Sequence, residues 1–414
     1  ESFSDTSETP VTPAGRLFLQ ETLNHVINCA IIGEFPLASV DSIKAEIANS
    51  VILKNPRFCS LMVRDSSGRE NWIRTRPDID RHVVVRRGLL SEDSSLSDDD
   101  VVNDYVAGLT YGSPLPADKP LWEVHVLVEY RAVVFRLHHA LGDGVSLMSV
   151  LLSCCRRMDD PAKAPEIGGG SLRREGWSFW VWVKVAWFSF VYGLELALRA
   201  MWRRDETTAL SGGAGVEQWP RRVATARFRL EDMKIVKKAV PGATINDVLF
   251  GVLSIGFSRY LSIRSPKALD NGVGITGMAM VNLRQQYEYK VMLSIYLSIF
   301  LFIILDRVGI RMGNKFGMIL LPNRPLDAVK RAKEMIDKKK LSLEAVFSYK
   351  LLHFITETLG PKVAGILNYR VFCNTTFTIS NIVGPKEKIS LAGNPLKSIR
   401  VTSSSLPHVR TYAF

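Results

Sequence analysis

The residues of this chain that could carry chemistry are two adjacent histidines, His138 and His139, followed closely by Asp143 and Gly144. An alcohol is a weak nucleophile at neutral pH, and a positioned imidazole can accept its proton while the oxygen attacks a carbonyl carbon. Histidine suits this role because its ordinary pKa lies near working pH. The aspartate can brace the loop that aims the ring, and the glycine allows a tight turn with little bulk. The pattern therefore predicts general-base catalysis.

Two strands and a helix are predicted to position these residues. Residues 132–137 are apolar and largely β-branched, which predicts a buried strand, and residues 123–128 predict its hairpin partner. Residues 145–155 carry apolar side chains at helical spacing. The histidines thus lie on a loop between a strand and a helix, where functional residues are common. Because successive strand residues point to opposite faces, only one of His138 and His139 can face the substrate, and the other faces the protein.

Three other interpretations of this segment are open. A pair of histidines can be purely structural. A metal site is disfavoured because adjacent strand residues diverge and no third ligand follows at metal spacing. Cys154 and Cys155 could be nucleophiles, but they lie in an apolar helical run, where free cysteine behaves as a small buried hydrophobe without an activating neighbour.

Further short motifs follow a fixed order along the chain. They are Pro114-Leu115-Pro116, Pro120-Leu121-Trp122, the histidine motif itself, Asn246-Asp247, Val281-Asn282-Leu283-Arg284, Gly313-Asn314-Lys315-Phe316-Gly317 and Ser380-Asn381-Ile382-Val383-Gly384-Pro385. Each is weak alone, but the ordered set resembles the plant wax ester synthase/diacylglycerol acyltransferase family over most of residues 10–410. The DFGWG signature of a related family of soluble plant acyltransferases does not occur in the sequence.

The resemblance implies a fold and an activity. The fold would be the two-domain α/β architecture of coenzyme A-dependent acyltransferases, similar to chloramphenicol acetyltransferase, with a tunnel at the domain interface. The reaction would move a long-chain acyl group from acyl-CoA to a fatty alcohol or diacylglycerol, with acyl-CoA as a substrate, no separate cofactor, no metal and no acyl-enzyme. His139 would be the general base, within a catalytic set completed by His138, Asp143 and Gly144.

Other residues receive roles through the same resemblance. Asn246 would hold His139 or the developing oxyanion, although Asn246 and Asp247 are equally expected as caps of a helix. Asp143 is expected to pair with Arg57 or Arg284, with Arg57 preferred. The substrate-binding candidates are Asn246, Asp247, Trp122, Asn282, Arg284, Ser380 and Asn381, and Trp122 is expected to pack near the tunnel wall.

Two segments depart from the family pattern. Family members usually have a polar segment at residues 285–312, whereas residues 291–305 here carry no charge. Members also continue beyond an element resembling Pro407-His408, so we expect a C-terminally truncated copy. These departures keep a weakly active or inactive lipid-binding homologue as one alternative. A transferase for a polar alcohol or amine is another.

Composition limits the remaining possibilities. A chain of 414 residues suits two domains. Its five cysteines show no zinc spacing, which favours free thiols in a reducing, cytosol-facing compartment. The net charge of +12 fits an anionic membrane surface or the phosphates of coenzyme A. No nucleic-acid reader motif accompanies that charge, so nucleic acid is not an expected partner. Composition is silent on the oligomeric state.

The predicted organisation has four parts. Residues 1–12 are polar and expected to be disordered, residues 13–165 form the N-terminal domain, residues 166–222 form a linker, and residues 223–414 form the C-terminal domain. Outside the motif, the pattern predicts helices at 14–27, 40–54, 231–239 and 244–262, and strands at 224–230, 273–282 and 375–382.

The linker contains a Trp-rich helical segment at residues 177–202. It is long enough to span a bilayer, but a single crossing would separate the histidines from Asn246. Lys184, Glu195 and Arg199 fall within about 60° on one helical face. We therefore expect a helix lying in the membrane plane, at the cytosolic face of the endoplasmic reticulum or the plasma membrane. One of two spans, with 291–305 as the other, and a buried core helix are the alternatives.

Overall fold

The structure, a computed structural model, describes residues 8–37, 39–88, 96–111, 114–166, 179–270, 273–283, 314, 316–323, 329–340, 343–404, 406–408 and 410–413. Some sequence predictions fall outside these ranges. They concern most of the N-terminal segment, part of the linker before residue 179, Arg284 and the apolar run at 291–305.

The described ranges contain strands and helices in alternation. The strands are β1 (Thr9–Pro10), β2 (Val26–Gly33), β3 (Ser60–Arg64), β4 (Glu70–Arg74), β5 (Val83–Arg86), β6 (Trp122–Leu127), β7 (Ala132–His138), β8 (Cys155–Arg157), β9 (Ile275–Asn282), β10 (Phe316–Asn323), β11 (Phe377–Ser380), β12 (Ile389–Leu391), β13 (Asn394–Ser403) and β14 (Arg410–Ala413). The helices are α1 (Pro13–Phe18), α2 (Val40–Asn49), α3 (Ile79–His82), α4 (Asp98–Tyr111), α5 (Gly144–Leu152), α6 (Phe179–Met201), α7 (Leu230–Ala239), α8 (Ile245–Arg264), α9 (Pro266–Asp270), α10 (Val329–Lys340), α11 (Glu344–Thr358) and α12 (Pro361–Cys373).

The larger sheet has the strand order β5-β6-β7-β2-β13-β12-β8. Helix α4 covers one face through Val102 and Val106. Helices α2 and α5 cover the other face, where Ile47 and Leu151 join the main apolar core. The predicted hairpin is confirmed, since β6 pairs with β7 in antiparallel register. This sheet therefore fixes the strand end at which the histidine motif begins.

The prediction of a helix over residues 14–27 is wrong in its second half. Helix α1 ends at Phe18, and β2 begins at Val26 with every residue buried. Strand β2 lies between β7 and β13, so both of its faces are covered and its apolar run shows no alternation. Two other boundaries also differ. The second predicted helix ends at Asn49, and residues 224–230 form no strand because the segment is largely exposed and pairs with no neighbouring strand.

Part of the C-terminal half of the chain joins the sheet formed by the N-terminal half. Strands β12 and β13 complete the larger sheet, with Val401 opposite Cys29 on β2 and Leu391 opposite Cys155 on β8. Residues 223–414 therefore contribute strands to both sheets. Strand β13 supplies backbone partners that β2 would otherwise lack along one edge.

The second sheet has the order β10-β9-β11-β14. Helices α8 and α10 cover one face, while α6, α11 and α12 cover the other. Leu17 and Leu23, from the first half of the chain, are buried in this second core. The short helix α1 is thus wedged between the halves, and its last residue, Phe18, reaches the histidine motif.

Helix α6 confirms the predicted helix but corrects its orientation. Arg199, expected on a solvent-facing polar stripe, is buried and paired with Asp205 at 3.0 Å, and its guanidinium donates to Thr276 Oγ1 at 2.6 Å. Tyr192 and Leu196 are buried beside it. The exposed face is instead apolar and aromatic, so this helix is both a structural part of the second half and a source of exposed apolar surface.

Candidate active site

The histidine motif lies on the loop between β7 and α5, as predicted. Asp143 caps α5 by accepting a hydrogen bond from the Ser146 amide at 3.0 Å. Arg57 reaches the same loop and donates to the Leu141 carbonyl at 3.3 Å. Gly144 starts the helix, and a Cβ there would stand 3.4 Å from Ile382 of the C-terminal half. The histidine loop is therefore capped by Asp143 and packed against the other half of the chain. The ion pair between Asp143 and Arg57 stays a prediction.

His138 is built into the protein interior, and only 3% of its surface is exposed. Its Nδ1 accepts from the Ala140 amide at 3.1 Å, and its Nε2 lies 2.9 Å from Asn24 Oδ1. Burial and, to a smaller extent, the neighbouring His139 lower the pKa of this imidazole to about 3. Both ring nitrogens are engaged and the ring is neutral, which suits a structural role.

His139 points the other way and is only partly buried. Its ring stacks on Phe18 with centroids 4.1 Å apart and lies 5.8 Å from the Phe316 ring. Its Nδ1 is 3.1 Å from Asn314 Oδ1, and Asn314 Nδ2 donates to the His139 carbonyl at 2.9 Å. Its Nε2 has no hydrogen-bond partner among the described residues.

The charge state of His139 is set by opposing effects. Burial lowers the pKa of the imidazole, whereas a hydrogen bond to the residue's own backbone, the Asp143 carboxylate and the hydrogen bond to Asn314 raise it, in that order. The net direction is downward, so the ring is neutral near pH 7 and holds a basic lone pair. A neutral imidazole with an unpartnered nitrogen can accept a proton from an approaching hydroxyl group.

Asn314, Phe316 and Gly317 supply the opposite wall of the site. Asn314 contacts His139 as described, and Phe316 adds its ring. Gly317 lets β10 approach α11 closely, since a Cβ there would lie 1.9 Å from the Ala345 carbonyl oxygen. The sequence pattern identifies the motif at 313–317 but predicts no role for Asn314, and it does not identify Phe18 as a residue of the site. The polar residue between glycines in the motif was the available signal for Asn314.

The Asn246-Asp247 element forms the start of α8. Thr244 is the N-cap, and Asp247 completes a capping box by accepting from the Thr244 amide at 2.6 Å. The capping alternative is thus confirmed for Asp247. The hydrogen bond described for the Asn246 side chain goes to Asn381 rather than to His139, with Asn246 Oδ1 accepting from Asn381 Nδ2 at 2.7 Å. The pair lies on the side of the site where the β11 end meets Gly144.

The other substrate-binding candidates lie in different environments. Trp122 has no exposed surface; it stacks on His82 and donates to the Phe58 carbonyl at 2.9 Å. Its burial and contacts are those of a packing residue. Asn282 ends β9 opposite Phe316, and Ser380 ends β11 next to Asn381. Both strand ends therefore face the same edge as the motif at 313–317 and the Asn246–Asn381 pair.

The rival chemistries receive no support from the geometry. Burial raises the pKa of the Cys154 thiol to about 11 and that of Cys155 further still, so neither is an activated nucleophile. Within the described ranges, no three histidine, cysteine or acidic side chains form a metal-binding group. The site's chemistry therefore rests on the imidazole.

Two family models match the chain. The wax ester synthase/diacylglycerol acyltransferase catalytic domain matches residues 23–176, and the WS/DGAT C-terminal domain matches residues 312–412. Wax ester synthase/diacylglycerol acyltransferase 11 of Arabidopsis thaliana is 33% identical over 98% of this chain and 87% of its own length. Wax ester synthase/diacylglycerol acyltransferase 2 of the same plant is 32% identical over 97% of this chain and 86% of its own length.

Solved structures give the same result for the fold. A wax ester synthase/diacylglycerol acyltransferase from Marinobacter aquaeolei VT8 superposes with a TM-score of 0.56 at 16% identity, covering 98% of this chain and 90% of its own. The first condensation domain of the CDA synthetase gives a TM-score of 0.51 at 16% identity, covering 97% and 86%. The expected two-domain acyltransferase fold is confirmed. With a catalytic-domain match that spans the histidine loop and relatives aligned over nearly its whole length, the chain belongs to the wax ester synthase/diacylglycerol acyltransferase family.

Proposed function

We propose that this protein transfers a long-chain acyl group from acyl-CoA to the hydroxyl group of a fatty alcohol or of diacylglycerol. The observation that carries the proposal is His139: a neutral, partly buried imidazole with an unpartnered Nε2, placed where the two halves of the chain meet. Its relatives are named for wax ester synthesis and diacylglycerol acylation.

The proposed chemistry uses one base and no covalent enzyme intermediate. His139 Nε2 accepts the hydroxyl proton as the alcohol oxygen attacks the thioester carbonyl carbon. The resulting tetrahedral intermediate collapses, the carbon–sulfur bond breaks, and the imidazolium returns the proton to the departing thiolate. The products are an ester and free coenzyme A. A positioned base of this kind contributes about 10²- to 10⁴-fold in rate.

The carboxamides of Asn246 and Asn381 are the proposed donors to the oxyanion of that intermediate. Asn246 uses its oxygen to accept from Asn381, so its Nδ2 keeps both hydrogens for a ligand. Asn246 lies in the first turn of α8, where the unpaired amides of the helix also favour negative charge. The packing of Ile382 on Gly144 supports a position beside the histidine loop.

A radiolabelled assay tests the proposal directly. The purified chain is incubated with labelled palmitoyl-CoA and either hexadecanol or diacylglycerol, and the lipids are separated. We expect wax ester or triacylglycerol from the wild type and about 10²- to 10⁴-fold slower product formation from His139→Ala. Lipid binding without product in both proteins would favour an inactive homologue, and product formed only from amine or phenol acceptors would identify a transferase for polar substrates.

Attachment to a membrane surface is the second part of the proposal. Trp180, Trp187 and Phe190 are each more than 60% exposed on α6, and Leu194 and Met201 extend the same face along the helix. Within the described ranges, no helix combines the length and hydrophobicity needed to cross a bilayer. Exposed tryptophans at helical spacing suit the boundary between headgroups and acyl chains. Such a surface would bring the site to its apolar substrates.

Flotation with anionic liposomes tests this attachment. Replacing Trp180, Trp187 and Phe190 together by serine should abolish flotation while the unfolding midpoint stays unchanged, since all three side chains are exposed. Trp219→Ser is the matched control, because Trp219 is 59% exposed but lies outside α6. Flotation of the triple variant at wild-type levels would exclude this face as the contact. We place the enzyme at the cytosolic face of the endoplasmic reticulum, which fractionation of a tagged protein would check.

A further inference from the structure

We infer that Asn314 is a positioning residue that holds the His139 imidazole in the one tautomer able to act as a base through Nε2. The inference rests on the acyl transfer proposed above and adds a residue to it. Asn314 is buried, and it reaches His139 from the other half of the chain, 175 residues away in sequence. Among the described residues, its side chain makes two hydrogen bonds, and both go to His139.

The two hydrogen bonds together determine where the proton lies. The His139 carbonyl can only accept, so the group that faces it at 2.9 Å must be the Asn314 amide nitrogen. The amide oxygen is therefore the atom 3.1 Å from His139 Nδ1. An amide oxygen can only accept, which means that Nδ1 carries the hydrogen. In a neutral ring the free lone pair must then lie on Nε2, the nitrogen without a described partner.

The position of Asn314 is fixed by the elements around it. It lies two residues before the start of β10, whose Met318 carbonyl accepts from the Tyr192 hydroxyl of α6 at 2.9 Å. The Met318 amide donates to Ser348 of α11 at 2.8 Å. Phe316 places its ring beside the same imidazole. The second half of the chain thus supplies the group that orients the base of the first half, and the base is competent only when the halves are docked.

Two substitutions at this position should shift the pH dependence in opposite directions. Asn314→Leu keeps the volume but removes the hydrogen bond that favours the charged ring, so the pKa of His139 should fall and the acid limb of kcat/KM should move to lower pH. We expect kcat to fall about 10- to 100-fold with little change in KM, because the tautomer is no longer fixed. Asn314→Asp places a negative charge at Nδ1, so the acid limb should move to higher pH.

A spectroscopic measurement separates positioning from folding. In protein carrying ¹⁵N-labelled histidine, the wild-type His139 resonances should report a neutral ring protonated at Nδ1, with assignment from their loss in His139→Ala. Asn314→Leu should show a mixture of tautomers. If that variant does not fold, Asn314→Asp, which is isosteric, still tests the inference through its pH profile.

Asn394 provides a matched control. It also bridges distant segments by two hydrogen bonds to one residue, accepting from the Phe35 amide at 3.1 Å and donating to the Phe35 carbonyl at 2.6 Å. Asn394→Leu should lower the unfolding midpoint without moving the pH profile. An Asn314→Leu enzyme with wild-type kcat, pH profile and His139 spectrum would overturn the inference while His139→Ala stays inactive. Activity retained in His139→Ala would instead refute the proposed function.

Discussion

Alanine substitution of the two motif histidines should separate stability from catalysis. His138→Ala removes a ring that is 3% exposed and leaves the buried Ala140 amide without its acceptor. Asn24, the other partner, is exposed and can turn to water. One orphaned buried donor costs about 1–3 kcal/mol, and the cavity adds to it, for a total of about 2–4 kcal/mol. That is a large share of the ~5–15 kcal/mol by which a domain is stable.

His139→Ala should destabilise the protein less than His138→Ala but should greatly reduce the rate of acyl transfer. The ring is partly exposed, and its removal costs one hydrogen bond to Asn314 and the stack on Phe18, about 1–2 kcal/mol in all. The hydrogen bond from Asn314 to the His139 backbone carbonyl survives the change. The rate should nevertheless fall by about 10²- to 10⁴-fold because the base is gone.

The assay pairs urea unfolding, followed by tryptophan fluorescence, with acyl transfer normalised to the folded fraction. His408→Ala is the control, since His408 is also fully buried with both nitrogens bonded, to Thr375 and Thr378. It should lose stability like His138→Ala and keep its normalised rate. A well-folded but inactive His138→Ala, together with an active His139→Ala, would refute the assignment of faces.

Three further predictions follow from the same contacts. Asp143→Asn should keep the cap of α5, since asparagine caps as well as aspartate. The lost negative charge should lower the pKa of His139, so the acid limb of kcat/KM should move to lower pH. An unmoved acid limb would mean that the carboxylate does not act on the ring. His82, His138 and His408 have pKa values lowered by burial to about 4, 3 and 3. Because the pKa of each histidine in the unfolded chain is near 6.5, the stability they contribute is present above pH 6.5 and is lost below it. If the three act independently, the free energy of unfolding should fall by about 4 kcal/mol at pH 5.5. A urea midpoint that is flat from pH 7 to 5.5 would contradict this. Deleting α6 should unfold the second half rather than merely release the protein from membranes, because its inner face is core; a soluble, active deletion variant would show that face to be dispensable.

The local features of this protein are readable from its sequence alone. The hairpin of β6 and β7, the loop that follows it and helices α5, α7 and α8 lie where the pattern of apolar residues predicts them. These elements have one buried face each or a clear cap, so their periodicity is visible in a short window. The ordered motifs also identify the family, because each motif is a contiguous run of residues.

Other features depend on which segments meet in three dimensions. Strand β2 was not predicted, and its first two residues were assigned to a helix, because a strand buried on both faces has no alternation and its neighbours β7 and β13 lie far away in sequence. Helix α6 shows both an apolar face and charges, and only its packing on α11 and α12 decides that Arg199 points inward. The contact between Asn314 and His139 follows from the docking of the two halves. The sequence alone determines which residues can do chemistry, and the tertiary structure decides which nitrogen of His139 is free to do it.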